Sequence, residues 1–204
     1  MQRARGLVLS FTSLRNVFNS RSLYTNLVQF QQKVSAQSEV CNRMGQSESK
    51  RTMSSGYTTN EADQRAAKET RDAGASGKKT TLENIADVPR AEIDDGLQKY
   101  VLVKVQDEGG KDHWFVRGNC GAAYHNDAAT PLVRLLEDEG VYYDVVGGGR
   151  ILHDAAAKSI KVYGHSYGFP WAGGEYQHDK SCEVLREKYT DYKSSDIFFE
   201  NEGY

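Results

Sequence analysis

The sequence predicts an α+β domain, built as a small mixed β-sheet flanked by two α-helices and preceded by a long disordered N-terminal extension. Three observations favour this architecture. Sixteen of the 21 aromatic residues lie in residues 82–204 of the 204-residue chain, so this part has the side chains to build a core. Short β-branched and apolar runs alternate there with glycine turns. Two longer stretches show helical spacing.

The first segment, residues 1–38, has the composition of a mitochondrial presequence. It carries five basic residues and no acidic one, and its apolar residues recur on one face of a helix. These apolar residues are Leu7, Phe11, Leu14 and Phe18. We expect the segment to direct the full-length chain to mitochondria, whereas the domain itself, or a product begun at Met44 or Met53, would be cytoplasmic. The alternative is an untargeted extension that merely lacks acids.

The second segment, residues 39–81, is polar and poor in Ile, Leu, Val and Phe. Runs such as those at 46–50 and 74–81 are typical of linkers. Residues around 63–72 could form a transient helix, but they offer no hydrophobic face. We therefore predict a disordered linker over 39–81 and place the domain in residues 82–204.

The domain opens with a predicted β-hairpin and a helix. Residues 100–105 are β-branched and apolar, residues 113–117 form a second such run, and Gly109-Gly110 between them suits a hairpin turn. Residues 127–139 carry leucines on one helical face, with an acid at the start and Gly140 at the stop.

The second half of the domain is predicted to be mostly strands. Residues 141–146 are predicted to form a strand that ends at Gly147-Gly148-Gly149. These glycines, with Arg150 after them, suit a tight turn or bulge better than a phosphate-cradling loop, because they lack the lysine and the spacing of such loops. The remaining predicted elements are strands at 150–153, 159–163 and 197–199 and a helix at 179–189.

Composition excludes several classes of function. The formal net charge is −2, which argues against nucleic-acid binding by bulk charge, and no apolar run approaches the roughly 18 residues of a membrane span. We expect neither metal nor cofactor, because no two histidines have the spacing of a metal site. The five histidines, all in the predicted domain, are His113, His125, His153, His165 and His178.

His125 stands out by position, since it directly precedes the start of the predicted helix. Free backbone N–H groups at a helix N-terminus attract anions, and an imidazole there can act as base or nucleophile. The alternative is that Asn126 or Asp127 merely caps the helix. The glycine-rich loop at 164–174 could likewise present N–H groups to an oxyanion or be a floppy connection.

Read together and in order, eight fragments resemble the janus family, the phosphohistidine phosphatases that also include the sex-regulated janus and ocnus proteins. The resemblance runs from about residue 88 to residue 204. The fragments are K-Y-V-L-V-K-V at 99–105, V-R-G at 116–118, Y-H at 124–125 with Asp127, G-G-G-R-I at 147–151 with His153, K-V-Y-G at 161–164 with Ser166, Q-H at 177–178, K-Y at 188–189 with D-Y at 191–192, and the final G-Y at 203–204.

The resemblance implies a metal-independent phosphatase that hydrolyses the P–N bond of phosphohistidine in proteins, with His125 as base or nucleophile. We expect phosphohistidine-containing proteins as its partners and a monomer as its state. The alternative is a catalytically weak janus- or ocnus-like paralogue that acts as a phosphate-binding or developmental regulatory protein. The substrate-binding residues that the resemblance implies are Lys99, Arg117, Ser166, Tyr167, Gly168 and the backbone N–H of Asn126.

The chain departs from the family pattern at three places. Ala123 stands where an acid is often found two residues before the active histidine, and Asn126 replaces the usual alanine after it. The loop carries Phe169-Pro170-Trp171, which is bulkier than the usual form. The loop change bears on substrate range more than on chemistry, and the Asn126 change should be tolerated because only its N–H is needed.

Overall fold

The computed structural model describes residues 61–79 and 85–201. The presequence predicted for residues 1–38, and the part of the predicted linker before residue 61, lie outside these described residues. Within them, no helix combines the length and the apolar character needed to cross a membrane.

A six-stranded mixed sheet forms the centre of the domain, in the order β1-β3-β2-β4-β5-β6. The three central pairings are antiparallel, and the two edge pairings, β1 with β3 and β5 with β6, are parallel. This confirms the predicted α+β class and mixed sheet. The strands are β1 (Ala91–Glu92), β2 (Gly96–Gln106), β3 (Asp112–Asn119), β4 (Asp144–Asp154), β5 (Ser159–Tyr163) and β6 (Ile197–Phe199).

Alternate residues of each strand point to opposite sides of the sheet. Both faces carry apolar side chains, and helices cover both faces. The helices are α1 (Glu61–Ser76), α2 (His125–Asp138) and α3 (His178–Lys188). The face under α1 and α2 buries Val101, Val103, Val105, Phe115, Leu132, Leu136, Val145 and Phe169. The opposite face, under α3, buries Tyr100, Leu102, Val116, Ile151, Ile160, Val162, Leu185 and Ile197.

The prediction of a disordered linker over 39–81 is wrong for residues 61–76, which form α1, and the described domain has three helices where two were predicted. The helix packs through small side chains. Ala67 is 1% exposed, and a Cβ on Gly74 would lie 2.5 Å from the carbonyl oxygen of Tyr143. Such a face buries little apolar area per residue but lets the helix approach its neighbours closely. Because it carries no large apolar side chains, the sequence gives no sign that the helix packs on the domain.

The predicted turn at Gly147-Gly148-Gly149 is also wrong, since β4 runs unbroken from Asp144 to Asp154 through all three glycines. They are strand residues because side chains and backbone of neighbouring elements occupy the space of a Cβ. The Trp171 indole packs on Gly147, the Tyr100 carbonyl lies against Gly148, and the Tyr163 carbonyl lies against Gly149. The three glycines thus let other groups approach the sheet closely.

Candidate active site

The first residue of α2 is His125, two residues before the predicted helix start. The backbone N–H of Tyr124, the N-cap, donates to Asp127 Oδ2 at 2.8 Å. Asp127 is therefore not the N-cap that the simpler interpretation expected but the third helical residue, bonded back to the N-cap Tyr124. His125 lies between them, with its ring buried against the sheet. The first amides of α2, including that of Asn126, have no i−4 acceptor within the helix.

The hydrogen bond of His125 defines its tautomer. Nε2 lies 3.0 Å from the carbonyl oxygen of Gly149, and because a carbonyl can only accept, Nε2 carries the proton. In the neutral imidazole the lone pair then belongs to Nδ1. The missing side chain of Gly148 makes room for the ring, since a Cβ there would lie 3.2 Å from His125 Cδ2.

His125 stays neutral well below physiological pH. Burial lowers its pKa to about 4, against the raising effect of the bond to Gly149, and the nearby charges of Lys99, Arg150 and His165 lower it further. At pH 7 the side chain is thus a neutral imidazole, protonated only at Nε2, beside two cations. A nucleophile or a base must be in this form before it can react with a phosphoryl group.

Lys99 and Arg150 are directly opposite each other on β2 and β4. Opposed residues of an antiparallel pair share a face, so both cations lie on the side of the sheet that carries His125. Lys99 Nζ donates to the Ala122 carbonyl at 3.4 Å, and burial, together with Arg150, lowers the Lys99 pKa. Two half-buried cations on one face of a sheet are an arrangement that can bind a doubly charged anion.

The glycine-rich loop at 164–174 also lies beside His125, and its own contacts hold it in position. Ser166 is 1% exposed, its Oγ accepts the Phe169 backbone N–H at 3.1 Å, and its Cβ would lie 3.3 Å from a Cβ on Gly148. Tyr167 is exposed, and its ring meets His165 edge-on at 4.9 Å. These contacts contradict a floppy connection, and anion binding by the loop stays a prediction. We call His125, Lys99, Arg150 and Ser166 the His125 cluster.

The structure does not bring Arg117 to this cluster. Its side chain is buried, with Nε 3.1 Å from Glu92 Oε2 in an ion pair. Its terminal nitrogens donate to the carbonyl of Val116 at 2.8 Å and to that of Pro89 at 2.6 Å. Arg117 is also absent from the charges that act on His125. The implied phosphate contact of Arg117 therefore finds no support, and the guanidinium ties β3 to the segment before β1.

Arg150 is the cation that the sequence interpretation did not assign to the site. It lay in the fragment considered as a phosphate cradle, but its partnership with Lys99 depends on the β2–β4 register, which no local pattern reveals. The sequence signal that could have pointed to Arg150 is its position directly after the three glycines.

The other histidines of the core serve the fold. His113 Nε2 lies 2.8 Å from Asp107 Oδ2, His153 contacts the Asp94 carbonyl and the Tyr192 hydroxyl, and His178 Nδ1 lies 2.7 Å from the Tyr100 hydroxyl.

Across residues 61–79 and 85–201, no three His, Cys, Asp or Glu side chains converge into a group that could hold a metal ion.

Comparison with known proteins adds a family and named relatives. The model of the Janus/Ocnus family matches residues 85–193. The 14 kDa phosphohistidine phosphatases of Sus scrofa and Homo sapiens are each 34% identical over 128 residues, which is 59% of this chain and 96% and 97% of theirs. The sex-regulated protein janus-A of Drosophila melanogaster is 34% identical over 127 residues, 62% of this chain and 89% of its own length.

Proposed function

The chain belongs to the Janus/Ocnus family, and from this membership and the site geometry we propose that it is a metal-independent protein phosphohistidine phosphatase with His125 as the catalytic group. One observation carries the proposal. The Nδ1 lone pair of a buried, neutral imidazole stands beside two cations and an anchored glycine loop. The phosphatase relatives are named for this activity.

The cations and the amides hold the phosphoryl group and stabilise its transition state. Lys99 and Arg150 neutralise the phosphoryl oxygens, while the amide of Asn126 and those of the loop stabilise the charge that develops in the transition state. The P–N bond of phosphohistidine is labile, so this stabilisation, together with a positioned imidazole, is enough.

His125 can act by either of two routes from the same neutral Nδ1. In the first, Nδ1 bonds to phosphorus as the substrate P–N bond breaks, the released imidazole takes up a proton, and water then cleaves the phosphoryl group from His125. In the second, Nδ1 accepts a proton from a water that attacks phosphorus as the substrate P–N bond breaks, and the leaving imidazole of the substrate takes up that proton. Both routes end in inorganic phosphate and free histidine.

A polypeptide substrate fits the surface next to the cluster. Leu97 and Leu152 are paired across β2 and β4, two residues along from the Lys99–Arg150 pair and therefore on the same face. They are 51% and 45% exposed. Two exposed leucines beside an anion site suit the chain that flanks a phosphohistidine, and they offer nothing to a small free phosphoramidate.

A catalytically weak, phosphate-binding regulatory paralogue is the second candidate function. It is favoured by the janus-A relatives, whose name describes sex-regulated expression and no activity, and by the position of α1 against the glycine loop.

Incubating the purified full-length chain with a histidine-phosphorylated protein separates the two candidates. We expect release of inorganic phosphate, unaffected by an excess of chelator, and no release from a phosphoserine protein. Phosphate binding without turnover would favour the regulatory paralogue. Activity that is lost with chelator and restored by a divalent metal would contradict metal independence.

Lys99→Gln and Leu152→Ser should separate the two parts of the substrate site. Loss of the Lys99 charge removes a contact to the phosphoryl group, so KM should rise about tenfold for both a phosphohistidine protein and free phosphohistidine. Leu152→Ser should raise KM severalfold for the protein only. Steady-state kinetics on both substrates measure this, with the exposed Leu97→Ser as a second test of the apolar pair. An equal effect of Leu152→Ser on both substrates would contradict the proposed polypeptide contact.

A further inference from the structure

Helix α1 lies against the two elements that the proposed function uses to hold a phosphoryl group. The buried and half-buried residues of α1 recur at helical spacing, so one side of the helix faces the domain. They are Asp63, Ala66, Ala67, Thr70, Arg71 and Gly74.

The middle of α1 is anchored to the start of α2. Thr70 Oγ1 donates to Asn126 Oδ1 at 2.8 Å, and the Tyr143 hydroxyl donates to the Thr70 carbonyl at 2.9 Å. Asn126 directly follows His125, so this side-chain bond fixes α1 one residue away from the catalytic group.

The same helix is anchored to the glycine loop. Arg71 donates to the Gly168 carbonyl, and its guanidinium lies 5.9 Å from the centre of the Phe169 ring. A Cβ on Gly168 would come within 3.0 Å of Ala67 Cβ and 3.8 Å of Asp63 Oδ2. The helix thus reaches the loop through its smallest side chain and places a carboxylate beside it.

That carboxylate also acts on the cluster. Burial and Asp127 raise the pKa of Asp63, while Lys99 lowers it. Conversely, burial and Arg150 lower the pKa of Lys99, while Asp63 raises it. The charges of Asp63 and Lys99 therefore act on each other, and the Asp63 carboxylate itself lies at Gly168 of the loop.

We propose that α1 is an inbuilt cover of the phosphoryl-binding site, in which the Asp63 carboxylate competes with the phosphoryl group for Lys99 and the glycine loop. The inference rests on the proposed function, since it takes Lys99 and the loop as the phosphoryl site. Binding of phosphate displaces Asp63 and loosens α1, and by linkage any change that removes the Asp63 charge tightens phosphate binding.

Titration of full-length protein with inorganic phosphate, followed by calorimetry, tests the competition. Asp63→Asn keeps the size of the side chain and removes its charge, so the dissociation constant for phosphate should fall about fivefold, as for one partly screened charge pair. Asp72→Asn is the matched control, because Asp72 is an exposed aspartate of the same helix that pairs with Lys68. It should leave the constant unchanged.

Hydrogen exchange of the α1 amides gives a second, independent measurement. Phosphate should accelerate exchange in the wild-type helix and in Asp72→Asn, and should not do so in Asp63→Asn, where no carboxylate needs to leave. Unchanged or weaker phosphate binding by Asp63→Asn, or no phosphate binding by any variant, overturns the proposal. A wild-type protein that hydrolyses phosphohistidine while Asp63→Asn binds phosphate no better refutes only the cover. Tighter binding by Asp63→Asn without hydrolysis refutes only the phosphatase activity.

Discussion

Replacing His125 with alanine should lower kcat for phosphohistidine by about a thousandfold or more while the protein stays folded. In both proposed routes Nδ1 of this imidazole is the nucleophile or base, and loss of such a group typically costs two to four orders of magnitude. Steady-state turnover of the purified variant measures the loss. Circular dichroism and thermal unfolding show whether the fold is kept.

His153→Gln is the matched control for this substitution. His153 contacts the Asp94 carbonyl and the Tyr192 hydroxyl, so it serves the fold and should leave kcat within about twofold of wild type. His113, bound to Asp107, is likewise predicted to be dispensable for chemistry. Near-normal turnover by His125→Ala would refute the assignment.

The low pKa of His125 defines the pH dependence of both turnover and stability. In both proposed routes the active form is neutral His125, whose pKa is about 4, so kcat/KM should stay high down to about pH 5 and fall only as the pH approaches 4. An unfolded histidine titrates near 6.5, so the stability contributed by neutral His125 is complete above that pH and is lost as pH falls through 4. An acid limb of the kcat/KM profile near pH 6.5 would contradict the burial of the ring.

The elements that the sequence predicted correctly are those whose signal is local. The hairpin strands, α2, α3 and β6 each carry their own periodicity or turn residues, and β2, β3 and α2 extend only a few residues beyond their predicted limits. His125 and the glycine-rich loop were singled out by their local sequence, and the family resemblance assigned roles to His125 and Ser166. Both residues lie against Gly148 in the structure.

The features that could not be predicted depend on partners distant in sequence. The three glycines suggested a turn because the groups that require them, such as Trp171, follow much later in the chain. Helix α1 packs through Ala67 and Gly74 and so shows no apolar stripe. Two departures from the family pattern, Asn126 and Phe169, are among the residues that contact α1. The bulk of the loop and the amide of Asn126 thus have a structural role that the sequence alone did not show.

Arg117→Met should destabilise the protein by about 3–5 kcal/mol, because it breaks a buried ion pair and leaves Glu92 without its partner. The cost includes the carbonyls of Pro89 and Val116, which lose their donor. Burial lowers the Arg117 pKa to about 10 while Glu92 raises it, so the guanidinium remains charged at neutral pH. Denaturant unfolding measures the loss of stability.

KM decides whether Arg117 belongs to the fold or to the substrate site. Since its nitrogens contact Glu92 and backbone carbonyls, the folded fraction of Arg117→Met should keep the wild-type KM for phosphohistidine. Arg134→Met is the matched control, because Arg134 lies exposed on α2, and its loss should change stability by less than about 0.5 kcal/mol. Adding Glu92→Gln to Arg117→Met should recover part of the lost stability by removing the unpaired carboxylate. A manyfold rise in KM with unchanged stability would instead indicate that Arg117 contacts the phosphate, as the family resemblance implied.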